Sequence, residues 1–74
     1  MKMTTQDIGR VVRKARKDLI ITQKDLALTS GTGLRFISDL EKGKVTCQIG
    51  KILTVLQTLG IHIELSSSHK RGHT

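Results

Sequence analysis

TQKDLALTSGTGLRFISDLEKGK, residues 22–44, holds two short runs of helical periodicity parted by a glycine-threonine-glycine. Thr22 with Asp25 three residues on forms a short capping box, so a helix starts here. Leu26 and Ala27 are its buried stripe. Residues 33–41 fit a second helix, with Phe36, Ile37 and Leu40 inward and Gly43 as its stop. Two such helices joined by so few residues must cross steeply. Gly31 tolerates the left-handed backbone that the corner requires. Thr32 is placed to cap the second helix with its hydroxyl. Gly33 is mildly unfavourable at a helix start, and its use there points to close approach of the backbone to a ligand or phosphate. A plain corner between two helices of a bundle satisfies the same pattern; so does a corner built to enter a DNA groove.

Upstream, Thr4 and Asp7 mark a helix whose apolar face is Ile8, Val12, Ala15 and Leu19, with Arg10, Arg13, Lys14 and Lys17 on its other faces. Ile20 and Ile21 end it. Downstream, Thr46 caps a helix with Ile49, Ile52, Leu53, Leu56 and Leu59 at helical spacing, and Gly60 stops it. IHIEL, residues 61–65, alternates strictly, so Ile61, Ile63 and Leu65 share one face of a strand. The expectation is an all-α bundle of four or five short helices with one C-terminal β-strand. A domain spans 1–60, the strand 61–66 and an aperiodic basic tail 67–74, expected to be disordered.

At 74 residues the chain makes one small domain, and Phe36 is its one aromatic residue, so the core is aliphatic. A core that thin favours oligomerisation. Thirteen Lys and Arg against six Asp and Glu give a net charge of +7, which suits a polyanionic partner. A lone cysteine excludes an intramolecular disulfide framework and fits a reducing cytoplasm. There is no membrane-length apolar run and no signal-peptide pattern. A soluble, cytoplasmic protein is expected.

Catalysis finds little support. His62, His69, His73 and Cys47 lack the close spacing of zinc ligands and have no acidic cluster beside them. GTG is too short for a phosphate-cradling loop. No nucleophile–base pair assembles, and neither an enzyme, a metal nor a cofactor is expected. Single-stranded RNA readers need aromatic platforms, which one inward Phe does not supply. An interaction protein that keeps the helical corner only as scaffold, and neutralises a partner by binding it, is the alternative to a DNA reader.

Residues 22–44 resemble, without a gap, the helix-turn-helix of phage-repressor-like (Xre-type) regulators. The matching positions are Gln23, Leu26-Ala27, Gly31, Ile37, Leu40-Glu41 and Gly43, with Arg16 seven residues before Gln23. GLRFISDLEKGKVTCQIGKILTVLQTLGI is similar to HipB-type antitoxins, and the order of RFISDLEKGK, helix and IHIEL strengthens that likeness. The resemblance implies a dimeric operator-binding repressor whose partner is a HipA-type serine/threonine kinase toxin, its C-terminal strands pairing between subunits. It also implies a salt bridge between Arg16 and Glu41; an exposed Arg16 on DNA is the other reading.

In such a motif the second helix lies in the major groove with its N-terminal residues at base edges. Gly33, Leu34, Arg35, Ser38 and Asp39 would then face DNA. Arg35 can span O6 and N7 of guanine, and Leu34 can pack on a thymine methyl. Ser38 is less selective. Asp39 can accept from a cytosine amine or pair locally with Lys42. Gly33 replaces a polar residue of the family pattern, leaving it a role in close approach only. Thr22, Gln23, Lys24, Lys42, Lys44 and Thr46 are the phosphate candidates. Leu56, Leu59, Ile61, Ile63 and Leu65 are the dimer candidates, because an unpaired strand edge calls for a partner.

Overall fold

The computed structural model describes residues 4–44 and 48–62, which form four helices: α1 (Thr5–Asp18), α2 (Gln23–Ser30), α3 (Leu34–Glu41) and α4 (Ile49–Thr58). The first two begin as local chemistry dictates. Thr4 accepts a hydrogen bond from the Asp7 amide at 3.1 Å, and Asp7 accepts one from the Thr4 amide at 2.9 Å. Thr22 and Asp25 repeat the exchange at 3.0 Å in both directions. Each box satisfies two amides that a helix start otherwise leaves open.

One apolar core binds the helices: Val12 from α1, Leu26 and Ala27 from α2, Ile37 and Leu40 from α3, and Ile52, Val55 and Leu56 from α4. Ile8, Ile21, Phe36, Leu59 and Ile61 pack against it half-buried. Helix α3 lies against both α1 and α2, and α4 packs on α2. Burial of each Val, Leu or Ile contributes about 1.5–3 kcal/mol, so these few side chains are what holds α3 in position.

At Gly9 the backbones of α1 and α3 almost touch. A Cβ there would stand 2.5 Å from the Leu40 carbonyl oxygen and 2.9 Å from that of Glu41. Nearby, the Thr5 hydroxyl donates to the Gly43 carbonyl at 2.8 Å. These contacts seat α1 along the C-terminal turn of α3.

Four expectations need correction. Leu19 and Leu53 are exposed, and Val55 takes the core position expected of Leu53. The reason is register: Val55 and Leu53 both lie within one turn of Ile52, but only Val55 is on the side that meets α2. Thr32 does not cap α3; the cap residue is Gly33, and the Thr32 hydroxyl bonds the Ser30 hydroxyl at 2.9 Å. Helix α4 has Gln48, not Thr46, at its N-cap. No strand occurs among the described residues, which reach only the first two positions of 61–65; the Ile61 amide donates to the Leu56 carbonyl at 2.8 Å and completes the helix end. The expected strand partners Ile63 and Leu65, Thr46 itself and the tail 67–74 lie outside the described residues.

Candidate nucleic-acid interface

The corner between α2 and α3 is built by two glycines with different tasks. Gly31 ends α2 in the left-handed conformation, φ 70° and ψ 24°, its amide donating to Ala27 at 2.9 Å. Gly33 sits at φ 133° and ψ 144°, a region open only to glycine. A Cβ at Gly33 would meet nothing within 4 Å. Backbone conformation, not crowding, therefore demands the residue. Ser30, buried beneath the corner, donates to the Leu26 carbonyl at 2.7 Å.

Three elements are locked by one carboxylate. Arg16 Nε donates to Glu41 Oε2 at 2.6 Å and Nη2 to Oε1 at 3.1 Å, a bidentate pair. The Arg16 Nη1 donates to the Ile21 carbonyl at 2.8 Å, and the Gln23 amide donates to Glu41 Oε1 at 3.1 Å. The two charged side chains are 11% and 4% exposed. The hydrogen bond it donates to Glu41 raises the Arg16 guanidinium pKa above its usual value against the opposing effect of burial. Two charges so nearly removed from water persist because their donors and acceptors are matched. The internal salt bridge is present, and Gln23 joins it, so its amide braces the α2–α3 angle.

The outer face of α3 presents Leu34 and Arg35, both exposed, with Ser38 and Asp39 half-exposed behind them. Arg35 makes no ion pair among the described residues. Asp39 does pair, with Lys44 at 3.4 Å and not with Lys42. The turn after α3 accounts for this: the Lys44 amide donates to the Asp39 carbonyl at 3.1 Å, which folds Lys44 back over Asp39. Lys24 and Lys42 are exposed. Thr22 uses its hydroxyl oxygen as the α2 cap, which leaves its proton to donate outward. The Thr22 amide is also what holds the Asp25 carboxyl below its ordinary pKa.

Two basic side chains join this face that were not singled out in the sequence. Arg13 lines a shallow cleft with Arg16, Gln23, Ser38, Glu41 and Lys42. Its position one turn before Arg16 was a visible signal. Lys51, on α4, reaches over the Phe36 ring at 5.6 Å and borders a second cleft with Arg35, Asp39 and Lys44. Nothing in the periodicity of α4 indicated that neighbour.

At the C-terminal end of α4, Leu56 is buried and Leu59 and Ile61 half-buried. A cleft there is lined by Leu53, Leu56, Gln57, Ile61 and His62. Exposed apolar surface is supplied by Ile49, 63% exposed, and Leu53, 44% exposed.

Chemically, the α2–α3 face offers guanidinium, ammonium, amide and hydroxyl donors on a braced frame. The helix-turn-helix family model matches residues 12–65. An uncharacterized HTH-type transcriptional regulator, y4mF, from Sinorhizobium fredii (strain NBRC 101917 / NGR234) is 53% identical over 68 residues, which cover 92% of this chain and 90% of that protein.

Proposed function

The chain belongs to the helix-turn-helix family, and we propose that within it the protein is a sequence-specific, operator-binding transcriptional repressor. The observation that carries this reading is the exposed Arg35, without an ion pair among the described residues, on a helix whose inner face and C-terminal end are anchored by Ile37, Leu40 and Glu41. An unpaired guanidinium on a rigid mount loses little entropy when it meets guanine O6 and N7. Ser38 and Leu34 flank it, and Gly33 lets the backbone come close. Asp39 reads a base only once Lys44 leaves it for a phosphate. Thr22, Gln23, Lys24, Lys42, Lys44 and Thr46 supply the phosphate contacts, which fix register without reading sequence.

The repressor acts as a homodimer. Support comes from the exposed Ile49 and Leu53 beside the cleft at Leu56, Ile61 and His62, and from the alternation of residues 61–65, which suits pairing of two C-terminal strands about a two-fold axis. Such an axis sets two α3 helices about one DNA turn apart. The likeness of residues 33–61 to HipB-type antitoxins adds a HipA-like kinase toxin as second partner and makes the repressor autoregulatory.

Anisotropy titrations with duplex from upstream of the protein's own gene test the reading. The expected preference over a scrambled duplex is on the order of 10³ or more at physiological salt. Equal affinity for both overturns it. Co-purification with a kinase encoded beside the gene tests the antitoxin role, which fails if no such neighbour exists.

A further inference from the structure

Helix α1 carries a basic ridge that the α2–α3 face does not account for. Arg10, Arg13, Lys14 and Lys17 line one open groove with Asp18. At about 100° per residue, Arg13 lies closest to the side that meets α3. Lys17, Arg10 and Lys14 follow in order around the helix, and Asp7 and Asp18 come last. The acids pair with the far members of the ridge: Arg10 with Asp7 at 3.6 Å and Lys14 with Asp18 at 3.1 Å. Arg13 and Lys17, the near members, make no ion pair among the described residues. Arg13 also lines the cleft that holds Ser38, Gln23 and Lys42. Arg13 is thus continuous with the DNA face, Lys17 follows it one turn along α1, and the ion-paired members come after them around the helix.

We propose that Arg13 and Lys17 form a second phosphate-binding edge that grips the sugar–phosphate backbone flanking the half-site, beyond the reach of α2 and α3. This deepens the repressor reading and rests on it. The occupant is the same duplex, because Arg13 shares its cleft with Gln23, Ser38 and Lys42, the acid in that cleft, Glu41, is taken by Arg16, and the Arg13 and Lys17 side chains are both exposed. Their contribution is independent of sequence. It lengthens the footprint and adds to the salt dependence of binding.

The experiment compares two double variants that remove equal charge, Arg13→Gln with Lys17→Gln and Arg10→Gln with Lys14→Gln. Affinity for the upstream duplex is measured from 50 to 200 mM salt. Loss of two phosphate contacts lowers the slope of log K against log salt by about 1.8 in the first variant. Across that range the wild-type affinity then falls roughly tenfold further than the variant's. The second variant keeps the wild-type slope. Trimming the base pairs outside the half-sites weakens the wild type and spares the first variant. Equal losses in both doubles, or an unchanged slope in the first, overturn the proposal while operator preference still stands. If the wild type shows no operator preference, the repressor reading fails by itself, and the same slope difference on scrambled duplex decides the fate of the edge.

Discussion

Arg13 and Arg16 stand one turn apart on the same helix and serve opposite ends. Arg16 is turned inward, nearly dry, and all of its described bonds go to Glu41 and the Ile21 carbonyl. Arg13 is exposed and has no ion pair among the described residues, three positions earlier on the rim of the same cleft. What separates them is angle: about 60° around the helix axis decides whether a guanidinium is built into the scaffold or left open to solvent. A charge counted toward +7 therefore says nothing by itself about its use.

The largest effect should come from breaking the inner member of this comparison. Arg16→Ala or Glu41→Ala strands a buried charge and should cost about 3–5 kcal/mol in urea unfolding. The double variant should lose less than the two singles added. Arg13→Ala should stay within about 0.5 kcal/mol of the wild type. Comparable losses at positions 13 and 16 would erase the distinction.

Gly9→Ala sharpens it from the backbone side, since the added methyl meets carbonyl oxygens that cannot step aside. Overpacking of this kind costs about 1–3 kcal/mol, readable as a lowered Tm, and a neutral variant would mean that α1 and α3 are not so close. Arg35→Ala should leave the Tm unchanged and weaken operator binding by about 1–3 kcal/mol. Scrambled duplex should be bound almost as before; a matching loss there would reassign Arg35 to phosphate.

A smaller effect is expected at Ile20. The ends of α1, α3 and α4 share one hydrogen-bond pattern, with the residue after the cap in left-handed conformation: Ile20 at φ 58°, Gly43 at 80° and Gly60 at 75°. Only Ile20 has a branched side chain, and it is 90% exposed. Replacement by glycine should stabilise the protein by about 1 kcal/mol, measured by the urea midpoint.

The last expectation concerns acid. The Asp7 and Asp25 carboxyls sit below their ordinary pKa, chiefly because they accept from the Thr4 and Thr22 amides. With a folded pKa below the unfolded value of 3.8, their contribution is present above that value and is lost as pH falls through the lowered one. Asp7→Asn and Asp25→Asn should flatten the fall in Tm below that pH, and an unchanged acid profile would show the boxes to be open in solution.

Sequence made the capping boxes, the Gly31 corner and the core residues Leu26, Ala27, Ile37 and Leu40 readable, because each depends on neighbours within about one helical turn. The Arg16–Glu41 bridge came from family likeness, since nothing local joins residues 25 apart. The choice of Val55 over Leu53 was hidden, because both fit helical spacing and only the position of α2 separates them. The backbone demand at Gly33 was hidden for a related reason: its angles follow from the angle between two helices, which no single segment encodes. Of the interface, Arg35 was visible as an outward position, whereas the Asp39–Lys44 pair depends on a turn that returns Lys44 to the helix it has left.

The contact at Gly9 bears on how such a protein diversifies. Where α1 meets the end of α3 there is backbone against backbone, with no side chain between. Part of the seating of α3 is thus independent of side-chain volume, and drift among core aliphatics leaves that part alone. The outward positions 34, 35, 38 and 39 take no share in it. If α3 reads DNA as proposed, they form an exchangeable cassette on a fixed chassis, and new recognition residues installed there change the operator without rebuilding the fold.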